Sequence, residues 1–186
     1  MKTGGAVTDE LIAPYDPGWA ELFAGLGGRL RAELGDVAIR IDHIGSTAVP
    51  GLAAKPIIDV QVSVASLEPV AAYRDQIERC GLVWRSGNTE LTKRYFRERP
   101  GLRRTHLHVR RAGSFSEQFA LLFRDYLRTH PERAAAYAEL KQTLAPLLLT
   151  DRQAYVDAKV PFTWETMRLA DEWAQAQGWE PGPSDA

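Results

Sequence analysis

Disulfide frameworks are excluded by scarcity: the chain carries one cysteine, Cys80, with no partner to pair with inside it. Cys80-Gly81 stands at an expected helix end, where a buried structural thiol is the expectation. Long apolar runs are missing too. No stretch approaches the roughly 18 residues needed to span a bilayer, and the opening MKTGGAVTDE lacks the apolar core of a signal peptide. A cytoplasmic protein with no membrane partner is therefore expected. Net charge is also lacking: 23 basic against 24 acidic side chains leave −1, which argues against nucleic acid as a partner. Internal repeats and low-complexity linkers are absent. What remains, 45% hydrophobic and 25% charged over 186 residues, suits one globular core. A single domain over 1–186 is expected, with Met1 to Thr8 loose and Pro181 to Ala186 a polar tail.

The chain is organised around His43 to Val64, HIGSTAVPGLAAKPIIDVQV. Apolar strands are predicted at Ala38 to Ile44 and Ile57 to Val64, separated by turns at Gly45-Ser46-Thr47 and at Pro50, Gly51 and Pro56. Alternation in the second strand puts Ile58, Val60, Val62 and Val64 on one face and Ile57, Asp59, Gln61 and Ser63 on the other. A carboxylate and an amide in so apolar a strand cost desolvation unless they bind something or meet water. Asp59 and Gln61 start about 6.6 Å apart, close enough to converge on one ion or one triphosphate. Gly45, Ser46 and Thr47 can cradle phosphate with backbone N–H groups and hydroxyls. That turn lacks the Gly-Lys-Ser/Thr ending of a P-loop. Lys55 is either a phosphate-binding cation or a solvated loop lysine.

Elsewhere, helical spacing predicts helices over Trp19 to Leu34, Leu67 to Arg79, Phe115 to Thr129, Pro131 to Leu149 and Asp151 to Gln177. Gly25, Gly27 and Gly28 predict an irregular middle for the first. Further strands are expected at Leu82 to Trp84, Lys93 to Glu98 and Arg103 to Arg110, the last two as an antiparallel hairpin. The fold class is α/β in layers: a mixed, mostly antiparallel sheet flanked by helices, with a C-terminal group of three helices. Trp164 and Trp173, with Phe162, Met167 and Leu169, are expected in the core.

Two histidines on the hairpin carry a second signal. Arg104, His106, His108 and Arg110 share one strand face, and imidazole at such spacing can bind a transition metal, donate to phosphate or act as general base. Between Lys93 and Arg111 stand eight Lys/Arg against one acid, Glu98. That segment is either a solvated hairpin or an anion-binding face, in which Lys93, Arg94, Tyr95, Arg97, Arg103 and Arg104 would surround a triphosphate. His43 and Asp42 are expected to be satisfied locally, Asp42 by Arg or Lys.

The central stretch, with RRTHLHV (103–109), FRDYLRTHPERAAAYAELK (123–141) and YVDAKVPF (155–162), resembles the GrpB family, a divergent branch of the nucleotidyltransferase superfamily with a fold like the DNA polymerase β palm. The resemblance spans roughly Leu11 to Thr166. It implies Mg²⁺ or Mn²⁺ held by Asp59 and Gln61, an NTP, ATP first, on Gly45, Ser46, Thr47 and Lys55, and helical residues such as Tyr155 and Lys159 closing the cleft. In the superfamily the second strand position is a carboxylate; here it is Gln61, and His106 or His108 replaces the usual third carboxylate. The implied activity is transfer of a nucleoside monophosphate to a small-molecule acceptor. Two other readings remain open: a degenerate, non-catalytic nucleotide or anion binder, and a Zn²⁺ or other transition-metal site of Asp59, His106 and His108. Oligomeric state is not encoded in any motif.

Overall fold

The computed structural model describes residues 11–186, so the expected loose segment Met1 to Thr8 lies outside the described residues. Five strands, β1 (Arg40–Ile44), β2 (Ile58–Val64), β3 (Leu82–Trp84), β4 (Lys93–Glu98) and β5 (Thr105–Arg111), form one sheet in the order β1-β2-β5-β4-β3. Only the central pair, β2 with β5, is parallel; the other neighbours run antiparallel.

Alternation decides the two faces. Ile41, Ile58, Val60, Val62, Phe96, Leu107 and Val109 point into one fully buried core under α1 (Gly18–Leu34) and α2 (Arg74–Arg79). Trp19, Phe23, Leu26 and Leu30 line the inner stripe of α1. Truncating one of these, Leu30 for instance, should cost about 2–5 kcal/mol. The opposite face carries Asp42, Asp59, Gln61, His106 and His108, and α3 (Phe115–Thr129) covers part of it. Ser114 and Glu117 start α3: the serine Oγ accepts from Glu117 N–H, and the Glu117 carboxylate accepts from Gly113 N–H at 2.7 Å.

Several expectations are corrected. The first helix is continuous through Gly25, Gly27 and Gly28, since its packed stripe outweighs their low propensity. Leu67 to Arg79 begins as a one-turn 3₁₀ segment after Pro69 and becomes α-helical only at Arg74. The second and third C-terminal helices are each divided. Pro146 separates α4 (Pro131–Leu144) from α5 (Leu147–Thr150), and Pro161 opens α7 (Val160–Gln177) just after α6 (Arg152–Ala158). Trp164 is 56% exposed, with its ring edge-on to Phe119, whereas Met167 is buried. No described helix is long and apolar enough to cross a membrane.

Pro181 to Ala186 is more than a polar tail. Ser184 Oγ accepts from Ile41 N–H, Asp185 accepts from His43 N–H, and Ala186 N–H donates to the Ile41 carbonyl. The tail thus lies along the outer side of β1. A Cβ at Gly27 would stand 2.8 Å from that of Ala186, so the glycine lets the tail seat against α1.

Candidate functional site

Parallel pairing of β2 with β5 sets Asp59 directly beside His106 and Gln61 beside His108. Asp59 Oδ1 lies 3.2 Å from His106 Nδ1 and 3.8 Å from His108 Nε2. One ligand atom from each of the three residues falls within 4.8 Å of the others. The second nitrogens, His106 Nε2 and His108 Nδ1, are buried without a partner. Tyr95, paired with His108 across β4 and β5, packs on both imidazoles at 5.7 and 5.3 Å between ring centres. Burial by itself would raise the Asp59 carboxyl, but the imidazoles of His106 and His108 beside it outweigh burial and hold the carboxyl well below the usual range. His108 is pushed down, by burial first.

Gly45 closes in on this carboxylate. Its backbone (φ 72°, ψ −171°) belongs to a region that glycine alone occupies readily. A Cβ there would stand 2.7 Å from Asp59 Oδ2. Gly45, Ser46 and Thr47 border a cavity of about 200 Å³ that also contains Asp59 and His106. The Thr47 hydroxyl is already engaged: it donates to the Ile57 carbonyl at 3.1 Å and shares a hydrogen bond with His43 Nε2 at 3.0 Å. His43 itself stacks on Phe23 and is held neutral, its pKa lowered to about 4 chiefly by burial.

The same cavity is walled by Lys55, Lys141 and Lys159 with Tyr137 and Tyr155. Tyr137 and Lys141 are four apart on α4, Tyr155 on α6 is four before Lys159 at that helix's end cap, and each ammonium lies over its own tyrosine ring, at 4.6 and 4.4 Å. Lys55 covers the Tyr155 ring as well, at 5.1 Å. Burial, reinforced by mutual repulsion, lowers Lys141 to about 7 and Lys159 to about 8, and lowers Lys55 too. The Tyr155 hydroxyl is buried without a partner. Lys141 and Tyr137 were not singled out from sequence, although the repeated Tyr-x-x-x-Lys spacing was the available signal.

The basic hairpin does not act as one cluster. Arg94 points to the core side of the sheet and pairs with Glu68 at 2.6 Å. Lys93 is tied to Glu90 at 2.6 Å and Arg97 to Glu98 at 2.9 Å. Arg103 and Arg104 border a different hollow. Gln61 is sealed beneath α3, its amide donating to the Glu117 carbonyl at 3.3 Å. Its Oε1 is left without a partner. Asp42 is held by Arg40 at 2.8 Å, with Arg124 at 3.9 Å.

Known proteins share this architecture. The family described as GrpB protein matches residues 11–168. The UPF0157 protein YqkA of Bacillus subtilis is 37% identical over 175 residues, covering 94% of this chain and 49% of that protein. A dephospho-CoA kinase of Mycobacterium leprae is 34% identical over 196 residues, covering 90% of this chain and 48% of that protein. The chain thus spans about half the length of these curated relatives. Among solved structures, one described as conserved protein GrpB from Enterococcus faecalis superposes with a TM-score of 0.78 and 33% identity, covering 87% of this chain and 99% of that one.

Proposed function

The chain belongs to the GrpB family, and on that premise we propose that it is a divergent nucleotidyltransferase, binding an NTP with one divalent ion and passing the nucleoside monophosphate to a small-molecule acceptor. The observation that carries this reading is the gathering of Asp59 and His106 with Lys55, Lys141 and Lys159 around one cavity, with His108 also turned to Asp59. A donor set of one carboxylate and two imidazoles fits an ion, and suits Mn²⁺ or Zn²⁺ better than Mg²⁺, which prefers oxygen. Such an ion supplies Lewis-acid polarisation of a phosphate oxygen.

The chain's own residues would do the rest. Three ammonium groups neutralise polyphosphate charge, and Lys141 and Lys159 gain full protonation as the anion arrives. The unpartnered Tyr155 hydroxyl donates to a phosphate oxygen. The acceptor oxygen or nitrogen attacks the α-phosphorus, the bond to the β-phosphate oxygen breaks, pyrophosphate leaves and the acceptor proton passes to solvent. Relatives named dephospho-CoA kinase match this chain over about half their length, and their named activity is not carried over to it.

A second reading, a nucleotide binder without turnover, is favoured by Gln61: buried under α3, it leaves Asp59 as the one carboxylate of the ligand group. Incubation with ATP and Mg²⁺, Mn²⁺ or Zn²⁺, followed by pyrophosphate assay and native mass spectrometry, tests both. Metal and ATP retained by the wild type, lost in Asp59→Asn, with pyrophosphate released, is the expected result. Retention without pyrophosphate in the presence of an acceptor pool would favour the second reading, and metal binding indifferent to Asp59→Asn would remove the site altogether.

A further inference from the structure

Beside the Asp59 cavity lies a larger hollow of about 420 Å³, and Lys55 and Ile57 form a wall common to both. Its volume is in the range of small-molecule sites, about 300–1,000 Å³. Much of the lining is apolar, from Pro56, Leu102 and Leu148 among others. The charge in it is of one sign. Lys55 precedes β2, Arg103 and Arg104 precede β5, and Arg152 opens α6. Among the described residues no acidic side chain lines the hollow. Arg104 comes no nearer than 3.8 Å to Glu98 and is half exposed.

These cations feel one another. After burial, the charge of Arg152 is the next cause lowering Lys55, and Arg104 adds to it. Like charges gathered round a hollow with no counter-charge in its wall raise the local concentration of anions and reward one that enters. Arginine adds geometry, because its planar fork takes a carboxylate or phosphate through two parallel hydrogen bonds. The apolar walls reward a hydrocarbon segment on the same molecule. A purely inorganic ion would leave those walls unused, and a neutral molecule would leave the arginines unused.

We infer that this outer hollow is the subsite for the second substrate, an acceptor carrying a carboxylate or phosphate on an apolar body of several carbons. Its role as acceptor site rests on the nucleotidyl-transfer reading, whereas its affinity for such an anion does not. The shared Lys55–Ile57 wall places an occupant's far end against the Asp59 cavity, where a transferable group would lie.

The test uses the full chain without metal or nucleotide, titrated with hexanoate, hexyl phosphate and hexanol and followed by NMR and calorimetry. At least one anion should bind tenfold or more tighter than hexanol, with shifts gathered at Leu102, Leu148 and Arg152. The ratio of the two anions then assigns the headgroup. The double variant Arg103→Gln/Arg152→Gln, exposed positions whose loss should not change the melting temperature, is expected to weaken the anion at least tenfold. Arg74→Gln, a surface cation paired with Asp75, should leave it unchanged. Hexanol binding as well as the anions, shifts centred on Tyr155 and Lys141, or indifference to the double substitution would overturn the inference. Anion binding through the arginines with no pyrophosphate from ATP keeps the subsite and defeats the transfer reading; pyrophosphate release with inert arginines does the reverse.

Discussion

Gly45 concentrates the residue-scale argument. It lets the backbone pass against the Asp59 carboxylate in a conformation that side chains resist. Gly45→Ala should cost about 1–3 kcal/mol from backbone strain, and the new methyl should push Asp59 away from His106. Urea denaturation would read the first effect and Zn²⁺ or Mn²⁺ titration the second; a variant unchanged in both would mean that the turn yields freely. Asp59 could be found from sequence because an acid inside IIDVQV stands out chemically. Lys141 offered only the repeated Tyr-x-x-x-Lys spacing, because a lysine on a polar helix looks solvated until α4 is folded against the loop that carries Ala53, whose carbonyl accepts from its ammonium. Parity alone forbids Arg94 and Tyr95 from sharing a face, since adjacent residues of a strand point to opposite sides, but it does not say which of the two meets the histidines.

At the scale of elements, α3 is fastened to the sheet by a buried arginine. Arg124, 4% exposed, donates to the His43 carbonyl at 3.0 Å and to Asp185 at 2.8 Å, and lies 2.7 Å from Asp125. Arg124→Ala strands these acceptors and should cost roughly 3–5 kcal/mol, measurable as a lower denaturation midpoint. A loss below about 1 kcal/mol would mark the network as solvent-like. Most strands were readable because alternation is a local property, whereas helix ends depended on proline and on packing. Helical spacing ran straight through Pro146 and Pro161, where the two breaks fall, and the continuity of α1 through three glycines came from an apolar stripe whose partner, the sheet, is distant in sequence.

Over the whole molecule, near-zero net charge conceals a partition: the hairpin cations are answered by Glu68, Glu90 and Glu98, while the cavity lysines meet few acids. Burial leaves His43 neutral in the core, with its pKa near 4 in the fold against 6.5 in the open chain. Between those values the unfolded chain binds the extra proton, so stability rises with pH through that window and falls as pH drops from 6.5 toward 4. The contribution is on the order of 3 kcal/mol at most. Urea midpoints at pH 7, 5.5 and 4.5 should decline, and His43→Gln, which cannot titrate, should decline less; parallel slopes would assign the acid lability elsewhere.

The C-terminal strap has one more consequence. β1 borders the sheet, and its amides at Ile41 and His43 are occupied by Ser184 and Asp185 instead of by another chain. Clip off these few hydrophilic residues and that margin becomes a template for strand-to-strand adhesion between molecules. Resistance to self-association would then hang on a segment that adds almost nothing to the hydrophobic interior.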